Sequence, residues 1–512
     1  MFHAMISGGI QGMLAYQVRV EVDVSRGLPC FDIVGSAGRE VKEARERVQV
    51  ALRNGGYSLP VAKIIVNLSP AQIAKEGTGY DLAVAAGLLA CMEVWRPEAH
   101  PDIAFLGELA LNGEVRGIKG VLPIALALRE QGIRHLFVAP ENAGECREVP
   151  DIRLIGVRKL QKLEEFLKAE ESEWERMREG TQQENPGGEG QRSKIPDFSE
   201  VSGQEVARRA AEVAAAGFHH ILFAGAPGAG KTMIAKRIPG ILPPMSWEER
   251  LEVASIYSIA GKYGNGNMGE EMSRPFLAPH HTLSPQALAG GGRIPAPGLL
   301  SLAHRGVLFL DELPEFSQAS LEVLRQPLEE KKVQIARSRG TYVYPADFML
   351  VCAMNPCPCG FFPDKNRCTC TEPEIRRYLG KLSGPVLDRI DIVTEVSPVK
   401  MKELSGGGES TGKIRERVMK ARDRQKLRYQ GTCYRFNSEL AGRDVEKFCG
   451  TDEEGRRFLE KTFESGHMSV RAYHKVQKLA RTIADLEGDT KIRKPHLAEA
   501  VFYNEARGRF WK

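Results

Sequence analysis

The sequence has no long hydrophobic run, which argues against a membrane-spanning helix. Near the N-terminal third, the longest stretch without charged or strongly polar residues runs from Leu82 to Met92 and has 11 residues. A helix needs about 20 such residues to cross a bilayer. Met1 to Gly9 contains no lysine or arginine, so no secretory signal is visible. We therefore expect a soluble, cytoplasmic protein with no membrane partner.

The composition also lacks the extremes of disordered, collagen-like and coiled-coil proteins. Apolar residues make up 42% of the chain and charged residues 27%, an ordinary globular balance. No internal repeat is evident. The 512 residues predict roughly three domains.

A strong net charge is missing as well, because the total is only +5. The charge is unevenly distributed, since residues 401–512 contain 25 Lys and Arg against 17 Asp and Glu. This positive segment is a candidate anion-binding face. A helical surface with surplus basic residues is the alternative, and charge alone does not separate the two.

A disulfide framework is not expected, because a large chain without an export signal keeps its thiols reduced. Four of the ten cysteines lie within 14 residues as two C-x-C pairs, Cys357 with Cys359 and Cys368 with Cys370. Four thiolates are a ligand set that structural Zn²⁺ prefers. The usual zinc-binding pair is C-x-x-C, so reduced thiols and a redox disulfide stay open as alternatives.

Alternating strands and helices predict an α/β or α+β domain over residues 1–170. Valines alternate with polar residues from Gln17 to Val24, the period of a strand. Further strands are predicted at 31–34 and 63–68, and helices at 40–54, 81–92 and 121–131.

A flexible linker is predicted over residues 171–195. Residues 180–192 read GTQQENPGGEGQR, which offers too little apolar surface to offset the entropy of ordering. Two further domains follow, at 196–400 and 401–512.

The strongest motif is a phosphate-binding loop. The apolar stretch Ile221 to Ala224 leads into Gly225-x4-Gly230-Lys231-Thr232 and a helix-forming segment, the context that this motif requires. Backbone N–H groups of such a loop face phosphate oxygens, its lysine reaches the β- and γ-phosphates, and its threonine can ligate Mg²⁺. The predicted nucleotide-binding residues are Gly225, Ala226, Pro227, Gly228, Ala229, Gly230, Lys231 and Thr232.

Two strand ends supply partners for this loop. The apolar stretch before Asp311 and Glu312 predicts a buried strand that ends in two carboxylates. We expect Asp311 to hold Mg²⁺ and Glu312 to polarise the attacking water. Asn355 ends another apolar strand and could position that water. The alternative is an asparagine that only satisfies a turn.

Further segments carry a family resemblance. They are Asp197–Gln204, Arg274–Thr282, Gly290–Gly292, Gly306–Phe316, Asn355-Pro356 and Ser383–Asp391. Their order and spacing resemble those of bacterial magnesium-chelatase-like AAA+ ATPases of the YifB/ComM type. The resemblance implies an α/β protein with an N-terminal Lon-protease-like α/β domain, an AAA+ P-loop NTPase core and a C-terminal helical lid. It also implies ATP and Mg²⁺ as cofactors and a homo-oligomeric ring, usually a hexamer, with ATP at subunit interfaces.

The resemblance also implies roles for two arginines. Arg389 matches the arginine finger that reaches the γ-phosphate of a neighbouring subunit, which is worth about 10³–10⁵ in rate elsewhere. A salt bridge with an adjacent aspartate is the alternative. Arg471 matches the second sensor, which reads the γ-phosphate in its own subunit. Arg376 and Arg377 are alternatives for either role.

Two insertions resemble those of chelatases and MCM helicases. One spans about residues 276–300, and the other is a predicted hairpin with strands at 332–336 and 341–346. In ring helicases such hairpins grip nucleic-acid backbone, although a solvated hairpin would carry the same charges. We expect His280 and His281, beside the first insertion, to be packed or hydrogen-bonded rather than metal ligands. The predicted DNA-binding residues are Lys331, Lys332, Arg337 and Arg339.

The N-terminal domain resembles the proteolytic domain of Lon around Lys75 to Ala83. No serine fills the nucleophile position of this loop, so Lys119 has nothing to activate. We expect a non-proteolytic domain that assists assembly or guides DNA.

The implied function is an ATP-driven motor on single-stranded or branched DNA, a helicase or branch-migration enzyme of recombination and natural transformation. A magnesium-chelatase-like ATPase that remodels a protein partner is the alternative, although no integrin-like metal-adhesion segment is present. An ATP-dependent protease is disfavoured by the missing serine.

Overall fold

The structure is a computed structural model that describes residues 1–147, 149–179, 195–263, 272–337, 340–364, 366–398, 407–464 and 468–511. Within these ranges, none of the helices combines the length and apolar character needed to cross a membrane.

Residues up to 179 form an α/β unit on two main sheets. Its strands are β1 (Phe2–Gln11), β2 (Leu14–Ser25), β3 (Cys30–Val34), β4 (Lys63–Ser69), β5 (Ile103–Phe105), β6 (Glu108–Leu109), β7 (Val115–Arg116), β8 (His135–Val138) and β9 (Arg153–Gly156). Its helices are α1 (Arg39–Lys42), α2 (Ala44–Asn54), α3 (Asp81–Cys91), α4 (Val121–Glu130), α5 (Leu160–Lys168) and α6 (Glu171–Glu179).

The first sheet has the order β1-β2-β4-β3, and the second has the parallel order β5-β8-β9. In β2 the alternating Val18, Val20 and Val22 are fully buried, as the period of two predicts. Every residue of α3 is buried. The predicted strands are confirmed, whereas the predicted helix at 40–54 divides into α1 and α2.

The helix α6 corrects the predicted start of the linker. The Trp174 side chain is buried against Phe137, with ring centroids 5.4 Å apart, and its Nε1 donates to the Phe166 carbonyl at 2.8 Å. Residues 171–179 therefore belong to the N-terminal unit. Residues 180–192, on which the linker prediction rested, lie outside the described residues.

The second unit is built on a five-stranded parallel sheet of order β11-β14-β17-β10-β18. These strands are β10 (Ile221–Ala224), β11 (Phe276–Leu277), β14 (Val307–Leu310), β17 (Met349–Met354) and β18 (Ile392–Glu395). Two short pairs lie outside the sheet, β12 (Gly290–Gly291) with β13 (Ala296–Pro297) and β15 (Lys332–Arg337) with β16 (Gly340–Pro345). The helices are α7 (Glu205–Gly217), α8 (Lys231–Ala235), α9 (Ile238–Ile241), α10 (Trp247–Ala260), α11 (Pro285–Ala289), α12 (Leu299–Leu302), α13 (Gln318–Val323), α14 (Arg325–Glu330), α15 (Glu372–Leu379) and α16 (Gly384–Leu387).

The described residues of the last unit form a helical array that packs on the core sheet through α7. Its helices are α17 (Thr411–Arg428), α18 (Arg443–Phe448), α19 (Glu453–Thr462), α20 (Val470–Glu487) and α21 (Lys494–Phe510). One continuous apolar cluster includes residues of α7, the sheet, α17 and α20. The lid helices therefore share a core with the sheet.

The helix α10 joins the N-terminal unit to the core. The Ser258 hydroxyl donates to the buried Glu145 carboxyl group at 2.5 Å, and the Gly120 N–H donates to the Ser258 carbonyl at 3.0 Å. Ala254 also lies in the apolar cluster that includes α4.

Candidate nucleotide site and nucleic-acid interface

Three loops at the carboxyl edge of the core sheet meet at the candidate nucleotide site. β10 leads into the phosphate-binding loop, β14 into Asp311 and Glu312, and β17 into Asn355. β17 lies between β10 and β14, and all three strands run parallel. Strand polarity therefore brings these side chains to one edge, as in other parallel α/β sheets.

The backbone geometry of the phosphate-binding loop favours glycine at three of its positions. Gly228 and Gly230 have φ angles of +75° and +96°, in the left-handed region. A Cβ at Gly225 would lie 2.2 Å from the Val396 carbonyl oxygen, because the loop passes close to the end of β18.

The Lys231 ammonium group lies at the centre of the loop. Its Nζ donates to the carbonyls of Gly225 and Ala226 at 2.6 and 2.9 Å and to Asn355 Oδ1 at 3.0 Å. Burial lowers the pKa of this lysine, although Asp311 and Glu312 oppose the shift. A buried cation held only by neutral oxygens fits an anionic phosphate group.

Thr232 and Asp311 form a pair of oxygen donors that fits Mg²⁺. The Thr232 hydroxyl donates to Asp311 Oδ2 at 2.8 Å, so the two oxygens already face each other. Mg²⁺ in nucleotide sites takes one or two protein oxygens together with phosphate oxygens. The residues present therefore match both groups that the sequence implies, ATP phosphates and Mg²⁺.

Glu312 has an unusual backbone and an exposed side chain. Its φ of +52° is in the left-handed region, which is uncommon for a residue with a Cβ and is found at functional sites. His281 Nδ1 lies 3.5 Å from Glu312 Oε2. No metal role was expected for His281, and its proximity to Glu312 could not be read from a separation of 31 residues in the sequence.

Gln204 is a second residue whose role the sequence did not indicate. Its Nε2 donates to the carbonyls of Ala229 and Ser397 at 3.0 and 2.5 Å. It thus ties the phosphate-binding loop to the segment after β18. The one signal in the sequence was its position at the end of Asp197–Gln204, a segment that carries the family resemblance.

Arg389 lies at the opposite, amino-terminal edge of the sheet. It precedes β18, and the N–H groups of Asp391 and Ile392 both donate to the His220 carbonyl, which precedes β10. The Arg389 guanidinium is paired with Glu329 of α14 and also donates to the Pro385 carbonyl. Arg389 is therefore separated from the phosphate-binding loop of its own chain by the length of β10, about 10 Å or more.

The placement of Arg471 disagrees with the expected role in its own subunit. Its Nη1 lies 3.7 Å from Asp388 Oδ2, and its side chain is 81% exposed. Arg471 thus lies beside Arg389 at the amino-terminal edge, because α20 packs across that edge. Arg376, an alternative for the same role, lies 3.7 Å from Glu372 on α15.

The predicted hairpin is confirmed as β15 and β16, with Lys332 opposite Pro345 and Arg337 opposite Gly340. Its cations fall at opposite ends. Arg337 is exposed next to the turn, Lys332 lies at the base 3.6 Å from Glu330, and Arg339 lies outside the described residues.

Lys331, a member of the predicted DNA-binding set, lies in a group of ion pairs at the hairpin base. Its Nζ lies 3.6 Å from Asp347 Oδ1 and is paired with Glu439, and both carboxylates are buried. Asp347 also accepts a hydrogen bond from Arg305 Nη1 at 2.7 Å. A phosphate contact would compete with these ion pairs, which favour a structural role for Lys331.

Ion pairs within the protein neutralise part of the positive charge of the C-terminal segment, residues 401–512. The Arg417 guanidinium pairs with Glu212 and Glu409 at 2.5 and 2.6 Å. Arg428 and Arg481 are both paired with Asp485, which is fully buried. These pairs favour the alternative of a basic helical surface over a dedicated anion-binding face.

The four clustered cysteines come together beside the phosphate-binding loop. The Sγ of Cys357 lies 3.3 Å from that of Cys359 and 3.8 Å from that of Cys368. The ligand atoms of all four, including Cys370, lie within 4.8 Å of one another.

The loop Lys75–Ala83, which resembles that of Lon, is held by hydrogen bonds to other residues of the N-terminal unit. Asp81 accepts two hydrogen bonds from Arg47, at 2.7 and 2.9 Å, and Thr78 donates to Glu108. Thr78 and Lys119 both line a cavity of about 410 Å³ at the junction with the core. Among the described residues that line this cavity there is no serine.

Three family models match the chain. They are described as magnesium chelatase, subunit ChlI, over residues 197–404, subunit ChlI of Mg-chelatase over 20–142, and magnesium chelatase, subunit ChlI C-terminal, over 408–504.

Curated relatives match over nearly the full length. Competence protein ComM of Haemophilus influenzae is 40% identical over 98% of this chain and 96% of its own. Proteins named YifB and described as uncharacterized, from Salmonella typhimurium and Escherichia coli, are each 40% identical over 96% of this chain and 95% of their own. A magnesium-chelatase 67 kDa subunit of Chlorobaculum tepidum is 31% identical, over 22% of this chain and 15% of its own.

Proposed function

Because the chain belongs to the magnesium-chelatase-like AAA+ family that includes ComM and YifB, we propose that it is a Mg²⁺-dependent ATPase that moves DNA. The family suggests ATP hydrolysis with Mg²⁺. The DNA step, a helicase or branch-migration activity in the cytoplasm during recombination or natural transformation, is our extension. The printed name of the Haemophilus relative, a competence protein, supports that pathway.

The single observation that carries the ATPase assignment is the set of contacts at the carboxyl edge of the sheet. Lys231, whose Nζ also donates a hydrogen bond to Asn355 Oδ1, binds the β- and γ-phosphates. Thr232 and Asp311, which are hydrogen-bonded to each other, hold Mg²⁺. Glu312 accepts a proton from the attacking water, and Asn355 orients that water.

A neighbouring subunit completes this site in the proposed mechanism. Arg389 and Arg471 lie together at the edge that faces away from their own phosphate-binding loop. Both serve the γ-phosphate held by the adjacent subunit, so the active form is a homo-oligomeric ring, which we take to be a hexamer.

The DNA assignment is supported by the hairpin β15–β16. Arg337 is exposed beside its turn, and Arg339 follows two residues later in the sequence. These cations contact the phosphate backbone of single-stranded or branched DNA without regard to sequence. The N-terminal domain is non-proteolytic and guides the strand toward the hairpin.

A chelatase-like remodelling of a protein partner is the second candidate, favoured by the family models and by the Chlorobaculum relative. ATP turnover with and without forked DNA, over a salt series, separates the two. A DNA motor is stimulated by the fork at low salt and loses the stimulation as salt rises, because phosphate contacts release counterions. Turnover that ignores DNA at every salt concentration contradicts the DNA motor and leaves the remodelling ATPase. Lys231→Ala should show no turnover under either condition.

A further inference from the structure

The sulfur atoms of the cysteine cluster have the spacing of a four-coordinate metal site. Three Sγ–Sγ distances are 3.3, 3.8 and 3.6 Å, for Cys357–Cys359, Cys357–Cys368 and Cys359–Cys368. A tetrahedral Zn²⁺ with Zn–S bonds of about 2.3 Å has S···S edges of about 3.8 Å. A disulfide would require about 2.05 Å, and all four cysteines are free.

Backbone donors around the sulfurs favour thiolates rather than thiols. Cys357 Sγ accepts the N–H groups of Gly360 and Phe362 at 3.2 and 3.4 Å, and Cys370 Sγ accepts the Cys359 N–H at 3.4 Å. Such N–H···S bonds orient metal-ligating cysteines and stabilise their charge. Cys357 is fully buried and the other three are half-buried, so an ion among them is shielded from solvent.

We propose that Cys357, Cys359, Cys368 and Cys370 together bind one structural Zn²⁺. The four thiols release their protons to solvent as the Zn–S bonds form. The ion cross-links a segment between β17 and α15 whose described residues contain no helix or strand. Neither the family models nor the names of the relatives assign this site.

The zinc loop, residues 357–370, is also part of the wall of the nucleotide site. Gly360 has a φ of +85°, and a Cβ placed there would lie 2.4 Å from Pro227 Cδ in the phosphate-binding loop. The loop begins directly after Asn355 and Pro356. Zinc therefore holds Gly360 against Pro227 and fixes the backbone that receives the phosphates. This second statement rests on the proposed ATPase function, whereas zinc binding does not.

Metal content tests the site directly. The full chain, purified from zinc-sufficient medium without chelator, should carry about one zinc by mass spectrometry. Cys357→Ser and Cys368→Ser should each abolish stoichiometric zinc. Cys433→Ser should retain it, because Cys433 is exposed in the last unit and lies outside the cluster. A zinc-free parent, or another metal at that stoichiometry, would overturn the assignment.

A second measurement uses the parent protein, so its result does not depend on whether the cysteine variants fold. Stepwise addition of an organomercurial should release zinc in proportion to the thiols that react. If the freshly purified protein releases no zinc, ten titratable thiols after unfolding identify reduced cysteines without metal, and eight identify a disulfide. Either result on freshly purified protein contradicts the zinc site.

The link to the nucleotide site is tested by Gly360→Ala against a matched glycine. Gly431 has a similar φ of +77°, but it has no described neighbour within 4 Å of a Cβ. Both substitutions strain the backbone, and only Gly360→Ala also displaces Pro227. We expect Gly360→Ala to keep its zinc but to weaken binding of a fluorescent ATP analogue by about tenfold, while Gly431→Ala binds normally. Equal affinities would contradict the link and leave the zinc site standing.

Discussion

Glu312 combines a left-handed backbone with an exposed carboxylate, and both features follow from its position at the tip of β14. We predict that Glu312→Gln binds ATP like the parent but hydrolyses it at least about 100-fold more slowly, because an amide cannot accept the proton of the attacking water. Equilibrium nucleotide binding and single-turnover hydrolysis measure the two steps separately.

The matched control is Glu315→Gln, three residues later. The Glu315 carboxylate is exposed and lies 3.3 Å from the Lys381 ammonium group. Its substitution should leave turnover unchanged. Parental turnover by Glu312→Gln would mean that another group activates the water.

We predict that His220 makes the stability of the core sheet depend on pH. Its Nδ1 accepts the Leu350 N–H at 3.1 Å, which requires that nitrogen to be unprotonated. Burial lowers the pKa of His220 to about 4, and His219 and Lys475 act in the same direction, against Asp391 and Asp347. The folded-state pKa is thus below the unfolded value of about 6.5. The stabilisation is therefore complete above pH 6.5 and is lost as the pH falls toward 4.

The substitution His220→Asn tests this dependence, because the asparagine oxygen can accept the same N–H but does not titrate. Between pH 7 and pH 4 the parent should lose about 3 kcal/mol more unfolding free energy than the variant. Urea unfolding at the two pH values measures the difference. Parallel pH profiles would show that His220 does not contribute.

At the scale of single elements, the sequence predicted what is encoded locally. The phosphate-binding loop and the β15–β16 hairpin were predictable because each lies within one continuous stretch of fixed pattern. The helix at Glu171–Glu179 was missed because it is held by the burial of Trp174 on a distant strand.

Side-chain partners across elements were not predictable in the same way. Lys331 pairs with Glu439, which is 108 residues away. The position of Arg471 depends on how α20 crosses the sheet. A single sequence shows the charge and the hydrophobic period of a segment. It does not show which edge of the sheet a C-terminal helix such as α20 packs against.

The hairpin makes an element-scale prediction about DNA. Arg337→Ala should weaken single-stranded DNA binding to a similar extent for all sequences and should reduce the slope of log affinity against log salt by about one. Fluorescence anisotropy over a salt series measures both quantities. The control is Lys420→Ala on α17, an exposed lysine paired with Glu416. If both variants shifted the slope equally, the hairpin would have no special role.

At the scale of the whole molecule, one subunit carries the two halves of the proposed catalytic site at opposite edges of one sheet. The phosphate-binding loop follows β10, whereas Arg389 precedes the neighbouring parallel strand β18. Parallel strands place these groups apart in any single copy, so the proposed site is complete only where a second copy supplies Arg389. An isologous contact would pair identical edges, whereas a head-to-tail contact pairs opposite edges and gives a ring when its rotation closes.

This arrangement predicts the outcome of mixing two inactive variants. Lys231→Ala lacks the phosphate-binding lysine and Arg389→Ala lacks the finger, so neither should hydrolyse ATP alone. In random rings from equal amounts, about a quarter of the interfaces place an intact loop beside an intact finger, so turnover should recover toward about a quarter of the parental rate. A mixture of Lys231→Ala with the double variant should recover nothing. Mixed rings can be verified by capturing one variant through a tag and detecting the other. If such rings form and turnover stays absent at every ratio, Arg389 does not act across the subunit interface.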